Sequence, residues 1–146
     1  MLKIAQLEID RVDDALRIDS AIRYGGHRDD YIRHLTRHGG VFVAYQDTEP
    51  AGFACLDNEI FLQNPYVPIL RVLPQYRRES FGPGVGAALL AHLEAHVASG
   101  RIFVGPRVNN TRYVALLVRS GYEFSGSIEG LRGDQTVLIF SKKVGG

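Results

Sequence analysis

The sequence predicts a mixed α/β fold, a central mixed sheet of about seven strands flanked by about four helices, and three features carry that reading. Val41-Phe42-Val43-Ala44-Tyr45 is a β-prone run, Asp47-Thr48-Glu49-Pro50 is turn chemistry, and Gly52-Phe53-Ala54-Cys55-Leu56 resumes the strand, which makes a hairpin. Val85, Leu89, Leu93 and Val97 recur at four-residue spacing through an Ala-rich stretch ended by Ser99-Gly100, which makes an amphipathic helix. Strand-like and helix-like segments alternate without linker or internal repeat, so residues 1–146 read as one domain.

Taken in order, Lys3 to Leu7 alternates polar and apolar residues and reads as a first strand. A helix follows from Val12 to Ile22, with Val12, Leu16 and Ile18 facing inward and Asp10 or Asp13 as its cap. Tyr24-Gly25-Gly26 breaks the pattern, and a second helix runs from Asp29 to Arg37 until Gly39-Gly40 ends it. After the hairpin, a strand covers Val67 to Val72, with Pro65 and Pro68 placing bulges or edges near its start. Beyond the central helix come a strand at Ile102–Val104, a helix from Thr111 to Ser120 closed by Gly121, and a final pair at Tyr122–Ile128 and Thr136–Ser141.

Bulk properties narrow the function. Hydrophobic residues at 45% and charged residues at 23% are ordinary globular values. A formal charge of +1 lacks the basic excess that nucleic-acid backbones demand, so no nucleic-acid partner is expected. The N-terminal stretch has no signal-peptide core, and no window has the apolar length of a membrane span, so a cytoplasmic protein without a membrane partner is expected. Cys55 stands alone in an apolar setting and reads as a small core residue in a reducing compartment.

The chemistry concentrates where the strand Leu70-Arg71-Val72 runs through Leu73-Pro74-Gln75-Tyr76-Arg77-Arg78 into Gly82-Pro83-Gly84-Val85-Gly86-Ala87 and a helix. The first N–H groups of a helix have no internal partner, and the helix dipole is positive there, so this junction is an anion site. Pro83 suits the first helical position with Gly82 as N-cap, leaving the amides of Gly84, Val85 and Gly86 for the anion. Glycine at 84 and 86 lets a pyrophosphate approach the backbone closely.

This segment resembles the coenzyme A-binding motif of the GNAT superfamily of N-acetyltransferases, Val-x-Pro-x-Tyr-Arg-x-x-Gly-x-Gly/Ala before an apolar helix. Val72, Pro74, Tyr76, Arg77, Gly84, Val85 and Gly86 match its elements. Asn109 to Tyr122 is similar to that family's Asn-x-x-Ala-x-x-Leu-Tyr-x-x-x-Gly-Phe helix, with Asn110 at the asparagine position, and the tail from Ser125 to Lys142 resembles the last two strands of a subgroup.

The resemblance implies an acetyl-coenzyme A-dependent N-acetyltransferase without a metal, acting on a primary amine by direct attack in a ternary complex. The strand backbone at Leu70, Val72 and Leu73 would pair with the pantetheine arm. Gly82, Gly84, Val85, Gly86 and Ala87 would hold the pyrophosphate, with Arg77, Arg78 and Asn110 completing the coenzyme site. The Val72 N–H would polarise the thioester carbonyl, and the coenzyme would enter where the strand ending near Val72 parts from Ile102–Val104. Two departures stand out: the loop from Tyr76 to Gly84 is longer than the common form, and the position of the family's frequent acidic tyrosine is Leu117. Tyr113, four residues earlier on the same helical face, is the candidate acid. Glu59 and Asp57, with Tyr66, are the candidate bases.

Other readings sit beside this one. A binding-only acyl-coenzyme A sensor or assembly module would need no acid, and an ordinary nucleotide-binding domain would prefer ATP or NAD. A P-loop is excluded because no Gly-Lys-Ser/Thr follows the glycines. His34 with His38, and His92 with His96, have helical ligand spacing but no recognised third ligand, so exposed helix faces are expected. The basic residues Arg23, His27, Arg28, Arg33, Arg37, His34 and His38 read as a solvated face or as a field drawing an acceptor with an anionic group. The identity of the acceptor, and whether the protein is a monomer or a homodimer, the sequence leaves open.

Overall fold

The run from Val41 to Tyr45 lacks polar alternation because its strand is covered on both faces. A computed structural model of the chain describes residues 1–22, 28–77, 84–132 and 134–145. It places this run in β2 (Val41–Gln46). On one side Val41, Val43 and Tyr45 share a core with Val12, Leu16, Ile18 and Ile32, carried by α1 (Asp13–Ile22), the turn before it, and α2 (Asp29–Arg37). On the other side Phe42 and Ala44 join Val85, Leu89, Leu90 and Leu93 of α3 (Val85–Glu94). A strand with two buried faces requires apolar residues throughout.

The class expected from sequence holds: helices and strands mix in one chain order, with two helices after the first strand and the amphipathic helix in the middle of the chain. The strands divide more finely than about seven in one central sheet. β1 (Leu2–Gln6), β2, β3 (Glu49–Cys55) and β6 (Leu70–Val72) form an antiparallel sheet in the order β1-β2-β3-β6. A second sheet, β4-β5-β7-β9-β8, comprises β4 (Asp57–Phe61), β5 (Asn64–Val67), β7 (Gly100–Val104), β8 (Glu123–Arg132) and β9 (Gln135–Val144). Its β5–β7 pair is parallel. α4 (Thr111–Arg119) follows β7.

Two expectations are corrected. The hairpin β4–β5 is additional: its two-residue tip is Leu62-Gln63, both in the left-handed region at φ 52° and 63°. The central helix begins at Val85, after an N-cap at Gly84 with φ 95° and ψ 150°, a conformation outside the helical well. The expected cap Gly82 and the first-turn Pro83 lie outside the described residues, as do Arg23, His27 and Arg78.

The expected strand Val67–Val72 is two strands in two sheets, and prolines are the reason. Tyr66 and Val67 pair with Phe103 and Val104. The next positions are Pro68 on one side and Gly105-Pro106 on the other, and a proline has no N–H for the ladder. Past this point Ile69 accepts from the Cys55 N–H at 2.9 Å, joining the first sheet, while Pro106 accepts from the Leu138 N–H at 2.8 Å, staying with the second. The two chains part there.

Tight backbone contacts hold α3 against the diverging strand. A Cβ at Gly52 would lie 2.7 Å from the Arg71 carbonyl oxygen and 3.2 Å from Val85 Cγ1. A Cβ at Gly86 would instead meet Leu116 Cδ2 at 2.8 Å, the far end of a side chain that can rotate. Gly52→Ala is therefore expected to destabilise by about 1–3 kcal/mol through overpacking against main chain. Gly86→Ala should cost less than about 1 kcal/mol, because alanine also favours the helix. Thermal unfolding checks this; equal losses at the two glycines would contradict the packing.

Candidate active site

The alternation of an antiparallel ladder decides which groups of β6 face the gap. The Leu73 N–H donates to Ala51 O at 2.9 Å, and the Cys55 N–H donates to Ile69 O at 2.9 Å. Val72 lies opposite Gly52 and Leu70 opposite Ala54, between these bonded pairs. Residues in such positions direct their N–H and C=O away from the partner strand. The main-chain groups of Leu70 and Val72 thus point to the side β6 does not share with β3, while those of Leu73 are used by β3. The Val72 carbonyl accepts from Arg77 Nε at 2.8 Å, and that of Leu70 from Arg71 Nη1 at 3.1 Å.

Beside this edge stands the N-terminus of α3. Ala88 is the first residue bonded within the helix, to Gly84 O at 3.1 Å. The amides of Val85, Gly86 and Ala87 therefore have no intrahelical acceptor. All three residues line a cavity of about 1220 Å³, together with Gly84, Leu70, Val72, Tyr76 and Arg77. Its opposite wall is the segment after β7 and the first turns of α4, including Asn110 and Tyr113. Asn110 is the N-cap of α4, its Oδ1 accepting from the Tyr113 N–H at 3.2 Å.

Tyr113 lines the cavity, and its hydroxyl is buried without a hydrogen-bond partner among the described residues. Burial pushes this phenol well above the usual tyrosine range, the Arg71 charge opposes that, and Tyr66 adds to it. The group stays protonated at neutral pH, the state a proton donor needs. Leu117 is fully buried in the core and takes no part in the wall. Tyr66 also lines the cavity, its hydroxyl packed where a side chain on Gly105 would otherwise sit.

The cavity is strongly cationic. Arg28, Arg71, Arg77, Arg107, Arg112 and Arg119 line it, and among the described residues no Asp, Glu or His does. Arg28 is ion-paired with the fully buried Asp19, which accepts from its Nη2 and, at 3.3 Å, from its Nε. The Arg71 Nε is buried and without a partner among the described residues. Burial lowers the pKa of Arg71, Arg28 and Arg107 lower it further, and Asp19 and Tyr113 oppose them.

The remaining candidates are placed elsewhere. Glu59 is exposed on β4 and does not line the cavity. Asp57 is buried outside it: burial raises its pKa, but hydrogen bonds from Tyr31 Oη at 2.6 Å and from the amides of Glu59 at 2.9 Å and Ile60 at 3.2 Å outweigh that and hold the carboxyl below its usual range. The His92 and His96 rings pack on Phe42, at 5.2 and 4.7 Å between centroids, while His38 Nδ1 sits 2.9 Å from His34 O. Sequence reasoning singled out Tyr113, Asn110 and the α3 amides but passed over Arg71 and Arg107, which line the same cavity. A basic residue next to Val72, on the strand that parts, was the available signal.

Known proteins resemble this chain in sequence family and in fold. A model of the acetyltransferase (GNAT) family matches residues 9–122. No curated protein sequence matches the chain. Among solved structures, a GNAT-family acetyltransferase from Bacillus cereus superposes with a TM-score of 0.89 at 24% identity, over 99% of this chain and 98% of that one. The ribosomal-protein-S18-alanine N-acetyltransferase of Escherichia coli gives 0.80 at 19% identity, over 100% and 96%. Arabidopsis thaliana Naa50, in complex with the bisubstrate analogue CoA-Ac-MVNAL, gives 0.78 at 18% identity, over 97% of each chain.

The environment of Asp57 makes it a structural group. Asp57→Asn is expected to cost about 1–3 kcal/mol at pH 7 by disrupting a buried charge-assisted network. Its folded pKa lies below the unfolded value, so this stability is present above about pH 4 and is lost as pH falls through the folded pKa. Urea unfolding at pH 7 and pH 3 should therefore show a gap between wild type and variant that narrows in acid. A variant of unchanged stability at pH 7 would refute this placement.

Proposed function

The chain belongs to the acetyltransferase (GNAT) family, and from that premise we propose that residues 1–146 form one catalytic domain that transfers the acetyl group of acetyl-coenzyme A to a primary amine. The observation that carries the proposal is the juxtaposition, along one cavity, of the outward main-chain groups of Val72 with the amides of Val85, Gly86 and Ala87, which have no intrahelical acceptor. A split strand edge offers hydrogen bonds to an extended amide-bearing arm, and a helix N-terminus offers them to a diphosphate. Arg77 at the rim adds positive charge toward the same end.

In this reading the Val72 N–H is the preorganised donor for the oxygen that becomes negative as the amine attacks. The amine nitrogen bonds to the thioester carbon, the C–S bond breaks, and the sulfur departs with the electron pair. Tyr113 supplies the proton that makes it a thiol. A thiolate is a good leaving group, so the phenol's contribution is modest.

Since no carboxylate or imidazole lines the cavity among the described residues, the ammonium loses its proton to solvent or through ordered water. The surrounding guanidinium groups favour the neutral amine by like-charge repulsion. Glu59, exposed on β4 and outside the cavity wall, has no part in this scheme. A cytoplasmic setting belongs to the same proposal, with Cys55 kept as a buried free thiol.

Release of free thiol from acetyl-coenzyme A across a panel of amines tests the proposal. Stabilisation of the fold by coenzyme A without thiol release from any amine would mark a binding-only module instead. Tyr113→Phe should lower kcat by about tenfold to a hundredfold, while leaving stability unchanged because the hydroxyl it removes is unpaired. The pH profile of kcat/KM should climb with unit slope until the acceptor's own amine pKa, with no plateau near 6–7. Such a plateau would require a base absent from this scheme.

A further inference from the structure

We infer that the acceptor carries a carboxylate within a few bonds of its amine and that Arg71 binds it, with Arg107 at the rim as second cation. This rests on the transferase reading and names its substrate class.

Arg71 is held in place by its own strand: Nη1 donates to the Leu70 carbonyl at 3.1 Å. That leaves the Nε/Nη2 edge of the guanidinium, two parallel donors in one plane, and Nε is buried with no partner among the described residues. Two coplanar donors match the two oxygens of a carboxylate. A buried donor on a permanent cation is costly to leave unmet, and folded proteins rarely do so unless a ligand completes the pair.

Among the described residues the protein supplies no such counter-charge. Asp19 is the nearby carboxylate and is engaged by Arg28. Arg71 has no ion-pair partner among the described residues, and neither has Arg107. Along β6, Leu70 and Val72 pack with the α3-side core while Ile69 and Leu73 pack with the α1–α2 core, so the Arg71 side chain, alternating with the former pair, leaves on the face away from α3. This separates its guanidinium from the amides assigned to the diphosphate. Arg71 also precedes Val72, the proposed oxyanion donor, and lines the same cavity as Tyr113, which puts the bound carboxylate close to the reacting amine.

The test pairs amino acids and dipeptides with their C-terminal amides, and ethanolamine phosphate with ethanolamine, as acceptors for the whole chain. In the wild type the free acids should exceed their amides in kcat/KM by about tenfold or more. Arg71→Gln should abolish the preference without raising the KM for acetyl-coenzyme A, Arg71→Lys should restore part of it, and the exposed Arg107→Ser should weaken it. Preference for the phosphate pair alone would overturn the carboxylate assignment. Equal rates for acids and amides would overturn the inference and leave the transferase proposal standing, as would an Arg71→Gln effect confined to the KM for acetyl-coenzyme A. Calorimetry of N-acetylated acids and their amides with coenzyme A present reads the same site without turnover. Arg71-dependent binding of the acids with no thiol released from any amine would support the anion site and sink the transferase. Absence of both would sink the two together.

Discussion

The functional architecture depends on one interruption of a hydrogen-bond ladder. β5 and β7 run parallel until Val67 and Val104, and both chains then meet residues that cannot donate, Pro68 and Pro106. A sheet that cannot continue must either end or divide. Here it divides, because each strand finds another partner: Ile69 turns to Cys55 of β3, and Pro106 stays beside Leu138 of β9. The gap is floored by strand edges and roofed by α3 and α4, so the outward main-chain groups of β6 line it.

Packing then fixes what the gap presents. Gly52 has no side chain, which lets Val85 approach and sets the start of α3 against β6. Gly105 does the same for the Tyr66 hydroxyl, and the close seat of Leu116 over Gly86 draws α4 to α3. Two cores, one on each face of the first sheet, make the scaffold stiff enough to hold the amides of Val72 and Val85 to Ala87 in fixed relation. In the proposed reaction, binding and chemistry would use groups that already point inward, so little reorganisation would be needed.

Much of this was legible in the residues. The doubly buried β2 showed as an unbroken apolar run, and α3 as a four-residue period preceded by glycine. The β4–β5 hairpin was not, because its tip is Leu62-Gln63 and not the Asn-Gly that normally marks a turn with two left-handed residues. Pro68 was read as a local bulge within one strand, whereas its effect depends on Pro106, a residue far along the chain. The cationic wall was legible only in part for a similar reason: of the basic residues noted around α2, Arg28 lines the cavity, and Arg71 and Arg107 join it from strand and loop. Which arginines converge is a tertiary fact that spacing along the chain does not encode.

The central claim is that one ligand bridges the split edge of β6 and the N-terminus of α3. Backbone amide resonances of the isotopically labelled protein, followed as coenzyme A is added, test it most directly. The account predicts large, saturable shifts and slowed exchange at Val72, Val85, Gly86 and Ala87 together. Saturating coenzyme that left these amides unmoved, or moved those of α3 without Val72, would contradict it.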